Sequence, residues 1–189
     1  WTHSRLLLTG VIVAAGCGAV VTLMLAMAPD DRLRGMLFWL MGDLSQTGDP
    51  QLVLILLATV LLVSLPFARE LNLLARGADV AQALGVAVRP LRRGVYLVAS
   101  LATAAAVTHA GAIGFIGLIV PHLVRLATGN DQRLLLPASV LAGGSLLVIA
   151  DTLARTILAP QQLPVGVLTA LIGVPVFLFL LTRGAAGRG

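Results

Sequence analysis

Residues 6–28 form an unbroken run of 23 residues without a charged side chain. As a helix rising 1.5 Å per residue it reaches about 35 Å, enough to cross a bilayer with some tilt. Inside lipid every backbone N–H and C=O must find an internal partner, so a run of this length and composition is read as a transmembrane helix. Further apolar segments follow at residues 52–68, 94–109, 134–158 and 165–182. With 58% of the residues hydrophobic and 11% charged, the chain lacks the charge to cover a water-facing surface of this size. Gly10, Ala14, Ala15, Gly16, Gly18 and Ala19 recur along the first run, a pattern that predicts close helix–helix approach inside a bundle. That run is too long for a signal peptide and lacks a small-residue cleavage site, and the opening Trp1 in place of Met leads us to expect a longer parent protein.

Between the apolar runs the chain is punctuated by proline and glycine. Pro29-Asp30-Asp31 is expected to stop the first helix and to supply the N-cap of a second. Residues 32–41 mix Arg32 and Arg34 with Phe38 and Trp39 and are too short to span, which predicts a helix at the membrane surface. Residues 42–50 read as a turn, and Pro66 should end or kink the second spanning segment. The polar stretch 69–93 holds five of the 13 arginines. In it, a short helix is expected from Ala78 to Leu84 between Gly77 and Gly85, then a second turn over residues 89–93 broken by Pro90. Residues 111–117 carry Gly111, Gly114 and Gly117, too much glycine for a stable helix, and residues 118–127 are too short to span. Irregular backbone at membrane depth must be buried in protein or line a wet cavity, so we expect a broken helix followed by a half-helix that Pro121 ends or kinks. The alternative for the break is a tight helix-to-helix turn.

All 13 basic residues are arginine. They lie between apolar runs and form no continuous patch interleaved with aromatics, which argues against nucleic acid. With alternating passes, ten arginines fall on the side of the 69–93 loop and three (Arg32, Arg34 and Arg155) on the other, which predicts that the loop and both chain ends are cytoplasmic. Cys17 reads as a small packing residue. His3, His109 and His122 have no metal-ligand spacing, and His122 reads as a hydrogen-bonded packing residue. Asp151 and Arg155, four apart, suit a mutual ion pair. No phosphate-binding glycine loop ending in Gly-Lys is present, and no serine has an acid–base partner nearby, so the chain is not expected to be an enzyme.

The run GAIGFIGLIVPHLVR, residues 111–125, resembles the most recognisable stretch of the FecCD family of ABC importer permeases, which serve siderophore, haem and cobalamin uptake. Three more blocks are similar in the same order: ARELNLLARGADVAQALGV at 68–86, LLLPASVLAGGSLLVIADTLAR at 134–155 and LPVGVLTALIGVPVFLFLL at 163–181. The short WLMGDLS at 39–45 also resembles the segment after the family's fifth helix. The resemblance implies an all-α integral membrane protein, the polytopic helical bundle of a type II ABC importer permease. It implies a single permease domain over residues 1–189, covering about helices five to ten of a ten-helix fold, in the bacterial inner membrane.

By the same resemblance Gly77, Ala78, Asp79, Ala81, Leu84 and Gly85 form a coupling helix on a cytoplasmic ATPase subunit, with residues 88–93 as a second. Gly111, Gly114, Gly117 and Pro121 would lie along the translocation path, and Arg155 would pair with a glutamate of a periplasmic or lipid-anchored binding protein. His109 departs from the family, which usually has a small or apolar residue there; contact with an iron chelate is its less favoured reading. A second permease subunit is implied as partner, and neither a cofactor nor a bound metal. Two rivals remain: a membrane-anchoring or assembly subunit, and a fragment of an ion-driven secondary transporter. The latter usually buries an ionisable residue near the bilayer midplane, and the five segments carry none at their centres.

Overall fold

The computed structural model describes residues 3–45 and 49–186. Gly48, within the turn expected at 42–50, and Trp1 and Arg188 lie outside the described residues. Everything regular among the described residues is helical: α1 (His3–Ala26), α2 (Asp30–Leu40), α3 (Pro50–Ser64), a 3-10 turn (Leu65–Phe67), α4 (Ala68–Ala75), α5 (Ala78–Ala83), α6 (Val88–Ala110), α7 (Ile116–Thr128), α8 (Gln132–Thr156) and α9 (Val165–Ala186). By length and composition three described stretches can cross a membrane: Leu7–Ala26, Gln51–Ala75 and Gln132–Thr156. Two of the expected spans are not among these three. α6 is 23 residues long but opens on Arg89, Arg92 and Arg93, and the apolar part of α9 counted as Val165–Leu180 is shorter.

The chain divides into two compact units, one ending at Leu40 and one beginning at Met41. In the first, α1 and α2 border an apolar groove of about 470 Å³ between Val21, Met24 and Leu25 on one side and Met36, Trp39 and Leu40 on the other. Pro29 holds the cap position of α2, its carbonyl accepting from the N–H of Leu33, while Asp30 and Asp31 lie inside the first turn. The cap thus falls within the expected triplet, at its first residue. Carboxylates there still favour the positive end of the helix. The guanidinium of Arg34 lies 5.8 Å from the centre of the Phe38 ring. The expected close packing of α1 is not found within its unit. None of its span is buried, nothing lies within 4 Å of a Cβ built at Gly10, Gly16 or Gly18, and Cys17 is exposed.

In the second unit α7, α8 and α9 pack against one another, with α4 on the N-terminal part of α8 and α3 against α6. The core is made of small and branched side chains: Ile119 and Val120 of α7, Leu135, Ala150 and Ala154 of α8, and Val165 of α9. Gly143 brings α8 to ordinary van der Waals distance of Ile116 and Val120. The outward faces are apolar, with Leu141 72% and Leu171 68% exposed, as lipid-facing helices require.

Pro66 marks the end of α3, as expected: it lies in the 3-10 turn after Ser64, where the N–H of Leu65 still bonds the Leu61 carbonyl, and α4 follows through Ala75. Pro90, Pro121, Pro137 and Pro175 lie within α-helices without ending them. Pro90 sits in the first turn of α6, where an N–H has no intrahelical partner to lose, so residues 88–93 are the start of that helix and not a separate turn. Pro121 lies inside α7 and Pro137 inside α8; α7 runs on to Thr128, so Pro121 does not end the half-helix. Neighbouring helices compensate for the bonds such prolines remove.

Candidate functional site

The residues singled out by sequence fall at two opposite ends of the second unit. At one end lie α4, α5, the start of α6 and the start of α8; at the other lie residues 41–45, the break after α6, the end of α8 and the start of α9. α8 joins the two ends. Its 25 residues span about 37 Å.

At the first end α5 is a six-residue helix held by glycine at each side. Gly77 has φ +123°, which only glycine adopts without strain, and Gly85 has φ +83°. The N–H of Gly85 donates to Gln82 O and that of Val86 to Ala81 O, the paired bonds of a Schellman stop. Ala81 is fully buried and Val86 nearly so, which anchors one face. Val80 and Leu84, one turn apart on the adjoining side, are 46% and 61% exposed. Asp79 occupies the first turn, beside Ala78. Leu84 was legible from sequence. Val80 was missed, because nothing but the helical register pairs it with Leu84.

Asn72 of α4 was also missed. Its side-chain N–H donates to Asp131 Oδ1 at 2.8 Å, and its carbonyl oxygen accepts from the N–H of Gln132, also at 2.8 Å. Asp131 itself caps α8 by accepting from the N–H of Arg133 at 3.0 Å. The Asn72 bond first, and the Arg133 N–H second, hold the Asp131 carboxyl below its ordinary pKa. A depressed carboxyl stabilises the fold above its unfolded pKa and loses that contribution as pH falls through the lower, folded value.

At the second end the break is shorter than expected. Residues 111–115 are non-helical and Gly117 lies inside the first turn of α7. Gly111, at φ +70°, is buried, and its N–H closes the last turn of α6 on Val107 O. Gly114 and Gly117 are exposed and Pro121 is half-buried. Phe115 carries the strain, with φ +67° in the left-handed region that disfavours a bulky side chain. It is seated on Gly173 of α9, where a Cβ would come within 2.6 Å of the Phe115 Cβ. Two more glycines complete the junction. A Cβ on Gly166 would collide with the Met41 carbonyl oxygen, and one on Gly42 would lie 2.8 Å from Ile113. The N–H of Asp43 donates to Ala110 O at 3.0 Å, tying the 41–45 segment to the end of α6.

Arg155 lies at this same end. Its Nε donates to Asp151 Oδ2 at 2.7 Å, the local pair expected from the spacing, yet its side chain stays 39% exposed. His109 is half-buried two residues before the break, and His122 is exposed on α7. An exposed ring on a lipid-spanning bundle needs water, another helix or a partner around it.

Residues 1–183 match the FecCD transport family. The chain belongs to that family. Among relatives, this FecCD chain is 44% identical over 188 residues to the hemin transport system permease protein HmuU of Yersinia pestis, covering 97% of this chain and 56% of that protein. It is 49% identical over 180 residues to the cobalamin import system permease protein BtuC of Halobacterium salinarum, covering 94% and 48%. With the Fe(3+) dicitrate transport system permease protein FecD of Escherichia coli it shares 44% identity over 186 residues, covering 96% and 58%. The FecCD chain thus spans about half the length of the curated relatives it matches. Its fold matches a solved structure described as an inward-facing ABC transporter of metal-chelate type, with TM-score 0.82 and 33% identity over 96% of this chain and 60% of that one. The FecCD match favours a transport permease over either a membrane anchor or an ion-driven carrier.

Proposed function

We propose that this FecCD chain forms part of the permease of an ABC importer that moves an iron chelate (a siderophore complex or haem) or cobalamin across the bacterial inner membrane. A separate cytoplasmic ATPase supplies the energy, a binding protein outside delivers the cargo, and a second permease subunit completes the channel. The observation that carries this reading is α5: a short helix pinned by Gly77 and Gly85, anchored by Ala81, with Val80 and Leu84 exposed for a partner's groove. Apolar anchors on a rigid element suit an interface that transmits force, and the arginines around them suit an acidic rim. Gly111, Gly114, Gly117 and Pro121 belong to the translocation path in this reading.

In this reading α5 is cytoplasmic and residues 41–45 lie outside, which the arginine asymmetry supports. In a Cys17→Ala background of the full-length protein, Gln82→Cys is expected to resist a membrane-impermeant maleimide added to intact spheroplasts, and Ser45→Cys to react. Labelling of both from outside would reverse the assignment.

Arg155 tests the docking end. Topology alone gives no reason for an arginine here, since one costs about 2.5–3.5 kcal/mol at a helix centre and less near an end. Its bond to Asp151 uses Nε and leaves the terminal nitrogens for a carboxylate on the binding protein. In the reconstituted complex, Arg155→Glu is expected to weaken binding-protein affinity about tenfold, lower ATP-driven uptake of hemin or cobalamin accordingly, and leave expression unchanged. A charge-reversed glutamate on the binding protein should recover part of the loss. Normal docking by Arg155→Glu, or an equal defect from Asp151→Asn, would assign Arg155 to the local pair alone.

A further inference from the structure

We infer that Asn72 is the strut that carries motion of α5 into α8, making α8 the element that links the ATPase end to the docking end. The inference rests on the coupling reading of α5. α5 packs on α4, and α4 on α8, so a push on α5 reaches α8 through α4. Apolar packing alone lets helices slide past each other by an ångström or two. Asn72 removes that freedom along the axis. It donates to Asp131 and accepts from Gln132, both at 2.8 Å, and a shift of about 1 Å between α4 and α8 would break both bonds.

The attachment point on α8 matters as much as the bonds. Gln132 is the first residue of α8, and its N–H is one of the four donors that a helix start leaves without an intrahelical partner. Asp131 satisfies the N–H of Arg133 and Asn72 that of Gln132, so the start of α8 is capped jointly by its own residue and by one 60 positions earlier. Displacing α4 without α8 would uncap the helix. Beyond this point α8 packs along α7, whose first residue follows the strained Phe115, and the Ala154 carbonyl at its far end accepts from the N–H of Leu163. Moving α8 as a body therefore acts on both the break and the surroundings of Arg155.

The test uses the full-length protein with its ATPase and binding protein in proteoliposomes, reading ATP hydrolysis and hemin or cobalamin uptake together. Asn72→Ala is expected to keep the ATPase associated and hydrolysis within about twofold, while uptake per ATP falls about tenfold. Asn72→Asp, which faces Asp131 with a second carboxylate, is expected to be at least as defective. Asp131→Asn alone keeps an amide oxygen that can accept from both Asn72 and the Arg133 N–H, and is expected to hold uptake per ATP within about threefold of the parent. Unchanged uptake per ATP in Asn72→Ala overturns the inference alone. So does a parallel loss of hydrolysis, uptake and thermal stability in Asn72→Ala, which is the mark of a purely structural cap. Failure of the unmodified protein to stimulate its ATPase overturns the coupling reading and the strut with it.

Discussion

Gly166→Ala is expected to be strongly damaging, and more so than a methyl added at Gly42 or Gly173, where the nearest obstacles are side chains. The added Cβ points at the Met41 carbonyl oxygen and approaches the Ala112 carbonyl oxygen at 3.3 Å. Both obstacles are backbone, so no side-chain rotation relieves them. Overpacking of this kind costs about 1–3 kcal/mol when side chains can give, and backbone contacts put this site at the upper end. At about 3 kcal/mol the thermal midpoint of the detergent-solubilised protein should drop by roughly 10 °C, with a matching loss of monodisperse material. Gly144→Ala supplies the control: it lies within α8 with nothing inside 4 Å of its Cβ, and should be neutral or slightly stabilising. Equal thermal midpoints for the two variants would show that α9 and the 41–45 segment do not meet at Gly166 as described.

Ala81→Pro should abolish coupled transport without preventing membrane insertion. The Ala81 N–H donates to Gly77 O at 3.1 Å, a bond that proline cannot make, and its ring would press on that same carbonyl. The site has no spare volume, because Ala81 is fully buried. A proline costs about 3 kcal/mol inside a helix, about two powers of ten in the population of the intact turn. The display of Val80 and Leu84 is lost with it. ATPase association, stimulated hydrolysis and uptake in the full-length protein should therefore fall together, with membrane yield near that of the parent. Survival of stimulated hydrolysis would remove α5 from the coupling interface. This outcome differs from that expected of Asn72→Ala, where hydrolysis persists and only uptake declines.

Features that depend on neighbours in sequence were legible in advance. The glycine-bounded α5, the interruption after Ala110 and the Asp151–Arg155 pair all follow from spacings of a few residues. Proline misled where its effect depends on position. Pro90 is harmless in a first turn and Pro121 is tolerated because α7 and α8 pack on each other, whereas Pro66 ends α3 as its position predicts. What the spacings could not reveal are pairings across long stretches of chain. Nothing in the neighbourhood of Asn72 announces Asp131, and nothing around Gly173 announces that Phe115 needs its missing side chain. The apolar pattern identifies which faces are greasy, but a lipid-facing and a helix-facing leucine look alike, so the interfaces had to come from the coordinates.

The 3-10 turn between α3 and α4 has a geometric consequence for the length of that rod. Three residues at 120° each, in place of 100°, rotate the face of α4 by about 60° relative to a straight continuation of α3. Asn72 therefore meets α8 only because the over-rotation at Leu65–Phe67 and the five residues from Ala68 to Asn72 add up to one particular angle. Adding or removing a single residue in α4 would swing everything beyond it by about 100° and shift it axially by about 1.5 Å. Side chains along this rod can be exchanged for others of like character. Its residue count cannot drift, because here the number of residues is what sets direction.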